Sequence, residues 1–119
     1  MTYLQTPQHP QSLISVNSFR VPEYIVQSAW HEHAPFLFWL VGALRPRCFV
    51  ELGCHTGYSY FAACQAVKQL DLGTACYAID SWEGDEHAGF YGEEVYAAVS
   101  AQNQAHYAAF SRLIRARSR

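Results

Sequence analysis

Residues 47–80 hold two short apolar runs, Arg47–Leu52 and Thr74–Asp80, joined by a glycine-punctuated turn and a stretch of helical periodicity. Few folds accommodate that order. The first run (Arg-Cys-Phe-Val-Glu-Leu) ends at Gly53, the pattern of a buried strand that empties into a tight turn. From Tyr58 to Leu70 the apolar residues Phe61, Ala62, Cys64, Ala66, Val67 and Leu70 repeat with a helical period, and Gly73 follows as a stop. Strand, turn, helix and strand in this span predict one βαβ unit with parallel strands and a right-handed crossover.

The flanks are read around that unit. Residues 1–21 are rich in Gln, Ser and Pro and are expected to form a flexible leader, with the domain occupying residues 22–119. Pro35 suits the first turn of a helix running to Leu44, and Pro46 closes it. Ser81–Gly92 is polar and glycine-punctuated and reads as a loop. Glu93–Ile114 is built of helix formers with Val95, Val99, Tyr107, Phe110 and Ile114 apolar, and a single long helix is expected there. Half of the residues are hydrophobic and 15% charged, as in a folded chain of 119 residues. The net charge of -2 supplies no basic field for gripping phosphates, which argues against a nucleic-acid partner. The apolar run Pro35–Leu44 is far shorter than the roughly 20 residues of a membrane span. No signal peptide is evident, and Cys48, Cys54, Cys64 and Cys76 contain no C-x-x-C pair, so reduced thiols and a cytoplasmic location are expected.

The chemistry concentrates at the strand ends. Glu51-Leu-Gly53-Cys-His55-Thr-Gly57 closes the first strand and Asp80 the second, so two acids stand at the carboxyl ends of neighbouring parallel strands. Ligands of open α/β sheets bind at that edge. Gly53 permits the sharp turn and a close backbone approach. A dinucleotide fingerprint would be G-x-G-x-x-G, but here His55 and Tyr58 occupy the second and third glycine positions. An acid two residues before the first glycine would repel a pyrophosphate, whereas it suits a cationic ligand. Asp80 can accept from ribose hydroxyls. His31-Glu32-His33 lacks the H-E-x-x-H spacing, and Asp85-Glu86-His87 reads as a solvated lid, so no metal site is assigned.

Glu51-x-Gly53-x-x-x-Gly57 resembles motif I of class I S-adenosylmethionine-dependent methyltransferases, and Tyr77-Ala-Ile-Asp80 resembles the strand and acid of motif II. The stretch from Trp30 through Ile114 is similar to bacterial methyltransferase domains found in glycan-related proteins. The resemblance implies an α/β, partial Rossmann-like fold with S-adenosylmethionine as cofactor. It also implies that Glu51 and the turn Gly53–Gly57 hold the methionine end, Asp80 the ribose, and Ser81 or Trp82 the adenine side. His55 stands where the family often has a glycine, and could bond the cofactor carboxylate or simply be solvated.

The family's sheet has seven strands, of which only two are expected here, so the reading is of a fragment carrying the cofactor half of the enzyme, with the acceptor pocket and catalytic residues outside it. A homodimer or a downstream-encoded remainder would complete the domain, and the acceptor would be a small molecule or glycan. A non-catalytic binding module is the alternative, and a nicotinamide-dependent oxidoreductase fragment a weaker one.

Overall fold

The computed structural model describes residues 16–23, 33–85, 89–90 and 92–117. Helix α1 (Ala34–Leu44) carries Pro35 in its first turn and ends at Arg45 in the left-handed conformation. Strand β1 (Cys48–Leu52), helix α2 (Tyr58–Leu70) and strand β2 (Ala75–Asp80) form the βαβ unit. The strands pair in parallel, with Cys48 opposite Ala75 and Leu52 opposite Ile79. Helix α2 has the expected bounds, and Asp71 adopts the left-handed cap at φ +52° ahead of Gly73.

The expected long helix divides in two. Helix α3 spans Glu93–His106, the chain turns through Tyr107–Phe110, and Ser111–Arg115 form a third parallel strand. That strand is β5, after a short antiparallel pair, β3 (Gly84–Asp85) and β4 (Gly89–Phe90), inside the region read as loop. The sheet order is β1-β2-β5. So β2 lies in the middle, and among the described residues β1 and β5 form the edges. The tertiary pairing overrides local helix propensity here. Cys76 donates its N–H to the Phe110 carbonyl and Ala116 its own to Asp80, while Asn103 Nδ2 bonds the Ser111 carbonyl and holds the new strand against the helix it leaves.

All three helices gather on one side of the sheet. Residues Tyr58–Val67 of α2 are buried without interruption, since the helix has the sheet on one flank and α1 and the Tyr107 turn on the others. Tyr60 reaches Ser111 on β5 with an oxygen–oxygen distance of 2.6 Å, and Phe61 stacks on Tyr107 at 5.6 Å. Residues 20–23, at the boundary between the expected leader and the domain, hydrogen-bond to α2. Gln65 Nε2 donates to the Val21 carbonyl, the Glu23 N–H donates to Gln65 Oε1, and Arg20 reaches Gln69. Residues 1–15 lie outside the described residues, as do Glu86 and His87 of the acid-histidine cluster and His31 and Glu32.

Among the described residues no helix covers the opposite face of the sheet. Strand alternation aims Val50, Tyr77 and Arg112 in one row and Leu52, Ile79 and Ile114 in the next to that side, in register across all three strands. Val50 is 51% and Leu52 76% exposed.

Candidate functional site

The carboxyl ends of β1 and β2 are tied together by backbone bonds before any ligand is considered. Gly53 continues the sheet by donating to the Ile79 carbonyl at 2.8 Å, and its φ of +79° then turns the chain away. A Cβ at Gly53 would meet nothing within 4 Å, so the turn opens onto free space at that point. Gly57 differs. It heads α2 at φ +91°, and a Cβ there would lie 2.8 Å from the Phe61 ring. Of the two motif glycines, Gly53 leaves room for a ligand and Gly57 lets the helix pack.

Asp80 acts as the clasp between the two strand-end turns. One carboxylate oxygen accepts the His55 N–H at 2.7 Å and the other the Trp82 N–H at 3.0 Å. Trp82 returns the connection by donating its indole N–H to the His55 carbonyl at 3.0 Å. His55 sits at φ +57° and Trp82 at φ +56°, both left-handed. The position where the family often has glycine therefore keeps a glycine-like backbone, which histidine adopts more readily than most residues.

Glu51 lies on the helix-covered side of β1, opposite Ala78. Its two carboxylate oxygens are 3.1 and 2.9 Å from the Ser59 hydroxyl, in the first turn of α2. One hydroxyl has one hydrogen, so it serves the two oxygens in turn. Burial pushes the Glu51 carboxyl up to about 7; the Ser59 bond opposes that rise and the charge of Asp80 adds to it. Burial, and after it the charges of Glu51 and Asp80, also push the Cys54 thiol up, which keeps it neutral. No cation pairs with Glu51 among the described residues.

Ser81 and Trp82, the expected adenine side, are placed differently. Trp82 is fully buried, with its ring 5.1 Å from that of Tyr96, and serves as packing. Ser81 stays half-buried and accepts the Glu83 N–H on its hydroxyl. Arg115 at the end of β5 donates to the Ser81 carbonyl and to Glu93, and lies 4.3 Å from the Tyr96 ring centroid. Among the described residues no group of three or more His, Cys, Asp or Glu could hold a metal ion, and no helix is long and apolar enough to cross a membrane. The four cysteines are free, and all but Cys48 are buried.

Ser59, Tyr96 and Arg115 were not singled out from the sequence. Only Ser59 carried a signal, as a hydroxyl in the first turn of the helix that follows the acid-glycine motif.

Two acids at neighbouring strand ends, a glycine opening the first turn and a helix starting beneath it define an α/β domain of Rossmann-like build. Residues 50–119, more than half of the chain, match the family model described as a methyltransferase domain, and the chain belongs to that family. It is also similar to a Sinorhizobium fredii (strain NBRC 101917 / NGR234) protein named "Uncharacterized protein y4gI", with 64% identity over 88 residues. That match covers 74% of this chain and 10% of the relative, so the chain spans about a tenth of the length of the curated protein it resembles. No solved structure matches the chain.

Proposed function

We propose that this chain binds S-adenosylmethionine at the β1–β2 strand ends and forms the cofactor half of a methyltransferase acting on a small-molecule or glycan acceptor. The observation that carries the reading is Glu51, a partly buried carboxylate near Asp80 that has no cationic partner among the described residues and stands two residues before the turn that Gly53 opens. Methyltransferase domains generally use this cofactor, whose sulfonium supplies the methyl group to a nucleophile.

The residues present fit it. Glu51 complements a positive charge at the methionine end. Asp80 has each oxygen engaged by one backbone N–H and retains lone pairs for ribose hydroxyls. The open space at Gly53 admits the ligand chain, and Ser81, still partly exposed, borders the adenine side, where buried Trp82 supports the turn from behind. Glu51, two residues before the first glycine, disfavours a pyrophosphate, which weighs against a nicotinamide cofactor.

Transfer itself requires an acceptor held in near-attack geometry, a contribution of roughly 7–11 kcal/mol when fully realised. No residue in the described part is assigned that task. The bare apolar face and the free β1 edge support an acceptor half formed by polypeptide outside these residues, since parallel sheets are ordinarily covered on both faces. The three buried thiols fit a cytoplasmic setting.

Calorimetry of the 119-residue chain with S-adenosylmethionine, S-adenosylhomocysteine and NAD tests the reading. Both sulfur ligands are expected to bind and NAD is not; tighter binding of NAD overturns it. The chain alone should show no methyl transfer in a radiolabel assay, and turnover by it would place the acceptor pocket within these residues.

A further inference from the structure

Resting on the cofactor reading above, we propose that Glu51, held by the Ser59 hydroxyl beside the clasped carboxylate of Asp80, exchanges a proton for the ligand's ammonium when the cofactor binds. The geometry leaves few other ways to balance the charge. Asp80 on β2 is immobilised by two backbone N–H donors, so its carboxylate cannot swing away from Glu51. Among the described residues, the other groups that interact with Glu51 are Ser59 on α2, which offers a single hydrogen, and the Cys54 thiol on the turn, kept neutral. No arginine, lysine or histidine pairs with it among the described residues. Burial favours the protonated carboxyl in the empty site, and the neighbouring charge of Asp80 adds a smaller push in the same direction. Burial brings the Glu51 carboxyl to about 7, where that proton is neither permanently held nor permanently lost.

A cation arriving at Glu51 replaces the proton's positive charge with its own, so the net charge of the buried pair stays the same. The proton leaves to the solvent. Ser59 is a positioning residue in this scheme. Its hydroxyl donates to the ionised carboxylate and thereby biases Glu51 toward the form that receives the ligand.

Linkage gives the size of the effect. With a carboxyl near 7, about half a proton should be released per ligand at pH 7 and about 0.9 at pH 6, and affinity at pH 6.0 should be about eightfold weaker than at pH 7.5. The test is calorimetry of the full chain with S-adenosylmethionine and S-adenosylhomocysteine at both pH values, in two buffers of different ionisation enthalpy. The ligand's own amino group titrates near pH 8, so the informative quantity is the difference between wild type and Glu51→Gln. Both ligands carry the ammonium, and both are expected to release the proton from wild type and neither from Glu51→Gln. Ser59→Ala is expected to move the pH midpoint of binding upward. That shift separates positioning from simple structural support.

Binding with equal affinity at the two pH values and no buffer dependence overturns the exchange while leaving the cofactor assignment standing. Release with S-adenosylmethionine alone overturns the ammonium as the exchanging group. Failure of both ligands to bind at pH 7.5 overturns the cofactor assignment and the exchange together.

Discussion

On one face of the sheet Cys76, Ala78 and Ser111 are buried beneath α2, whereas on the other Val50 and Leu52 are more than half exposed and Ile114 is 41% exposed. The strands supply both sets by simple alternation, and on β1 and β2 both are mostly apolar, whereas β5 adds Ser111 to the covered face and Arg112 to the other. A strand with one wet face usually alternates apolar with polar residues; near-continuous apolar runs belong to strands covered on both sides. The difference between the faces therefore lies in what covers them rather than in the residues themselves. It also locates the chemistry: Glu51, Ser59 and Asp80 are organised by the covered side, where the helix starts, while the bare side contributes none of them.

The contrast can be broken most forcefully in the core. Phe61 is buried between Tyr60 and Tyr107, and Phe61→Ala should destabilise the chain by roughly 3–5 kcal/mol in urea unfolding. A loss below about 1 kcal/mol would mean that the α2 layer is not packed as described.

Gly57→Ala should come next. The new Cβ would be 2.8 Å from the Phe61 ring and the residue would keep φ +91°, so overpacking and backbone strain together should cost about 2–4 kcal/mol. Gly53→Ala meets no atom and should cost only the strain of its φ of +79°, about 1–2 kcal/mol, while obstructing cofactor approach. Unfolding curves of the two variants side by side check it; equal losses would erase the distinction between a packing glycine and an opening one.

The βαβ unit was legible because its signals are local. Tyr58–Leu70 has helical periodicity, and the apolar runs of β1 and β2 stop at Gly53 and Asp80. Strand β5 was not legible. Tyr107, Phe110 and Ile114 continue the helical spacing of α3 with no Gly or Pro between them, and what turns Ser111–Arg115 into a strand is the free edge of β2, which no local pattern encodes. Glu51 and Asp80 were legible as acids at strand ends. That Asp80 would clasp two backbone N–H groups, and that Trp82 would turn inward, depended on left-handed residues at His55 and Trp82 that have no glycine to announce them.

Glu51→Gln sharpens the comparison from the covered side, because Glu51 is the acid that this face buries. Its carboxyl is raised to about 7 from an ordinary value of 4.5, so the empty fold holds its proton more tightly than the unfolded chain does. The stability linked to that proton is fully present below about pH 4.5 and is lost as pH rises through about 7. Glu51→Gln abolishes this loss, and at pH 8 the empty variant should be more stable than wild type by about 2 kcal/mol, after allowance for solvent screening. Thermal unfolding at pH 5 and pH 8 measures it. A wild type whose stability does not fall between those pH values relative to the variant would show that Glu51 is not desolvated.

The smallest effect is expected on the bare face, and it decides what that face is for. Leu52 is 76% exposed, so Leu52→Thr removes side-chain surface that is already in water and should change the stability of the 119-residue chain by no more than about 0.5 kcal/mol. The same substitution in a longer polypeptide that covers this face would remove buried methyl groups and should cost about 2–4 kcal/mol. The relative that shares 88 residues with this chain is about ten times their length and offers such a context. Introducing the change at the equivalent position of a chain of that length, and comparing the two losses in urea, tests whether polypeptide beyond these residues covers the sheet. A loss near zero in both would leave the face open to solvent in the longer protein and remove the support it lends to an acceptor half built there. A large loss in the short chain would show that Leu52 is covered already, so that the two faces of this sheet do not differ as described.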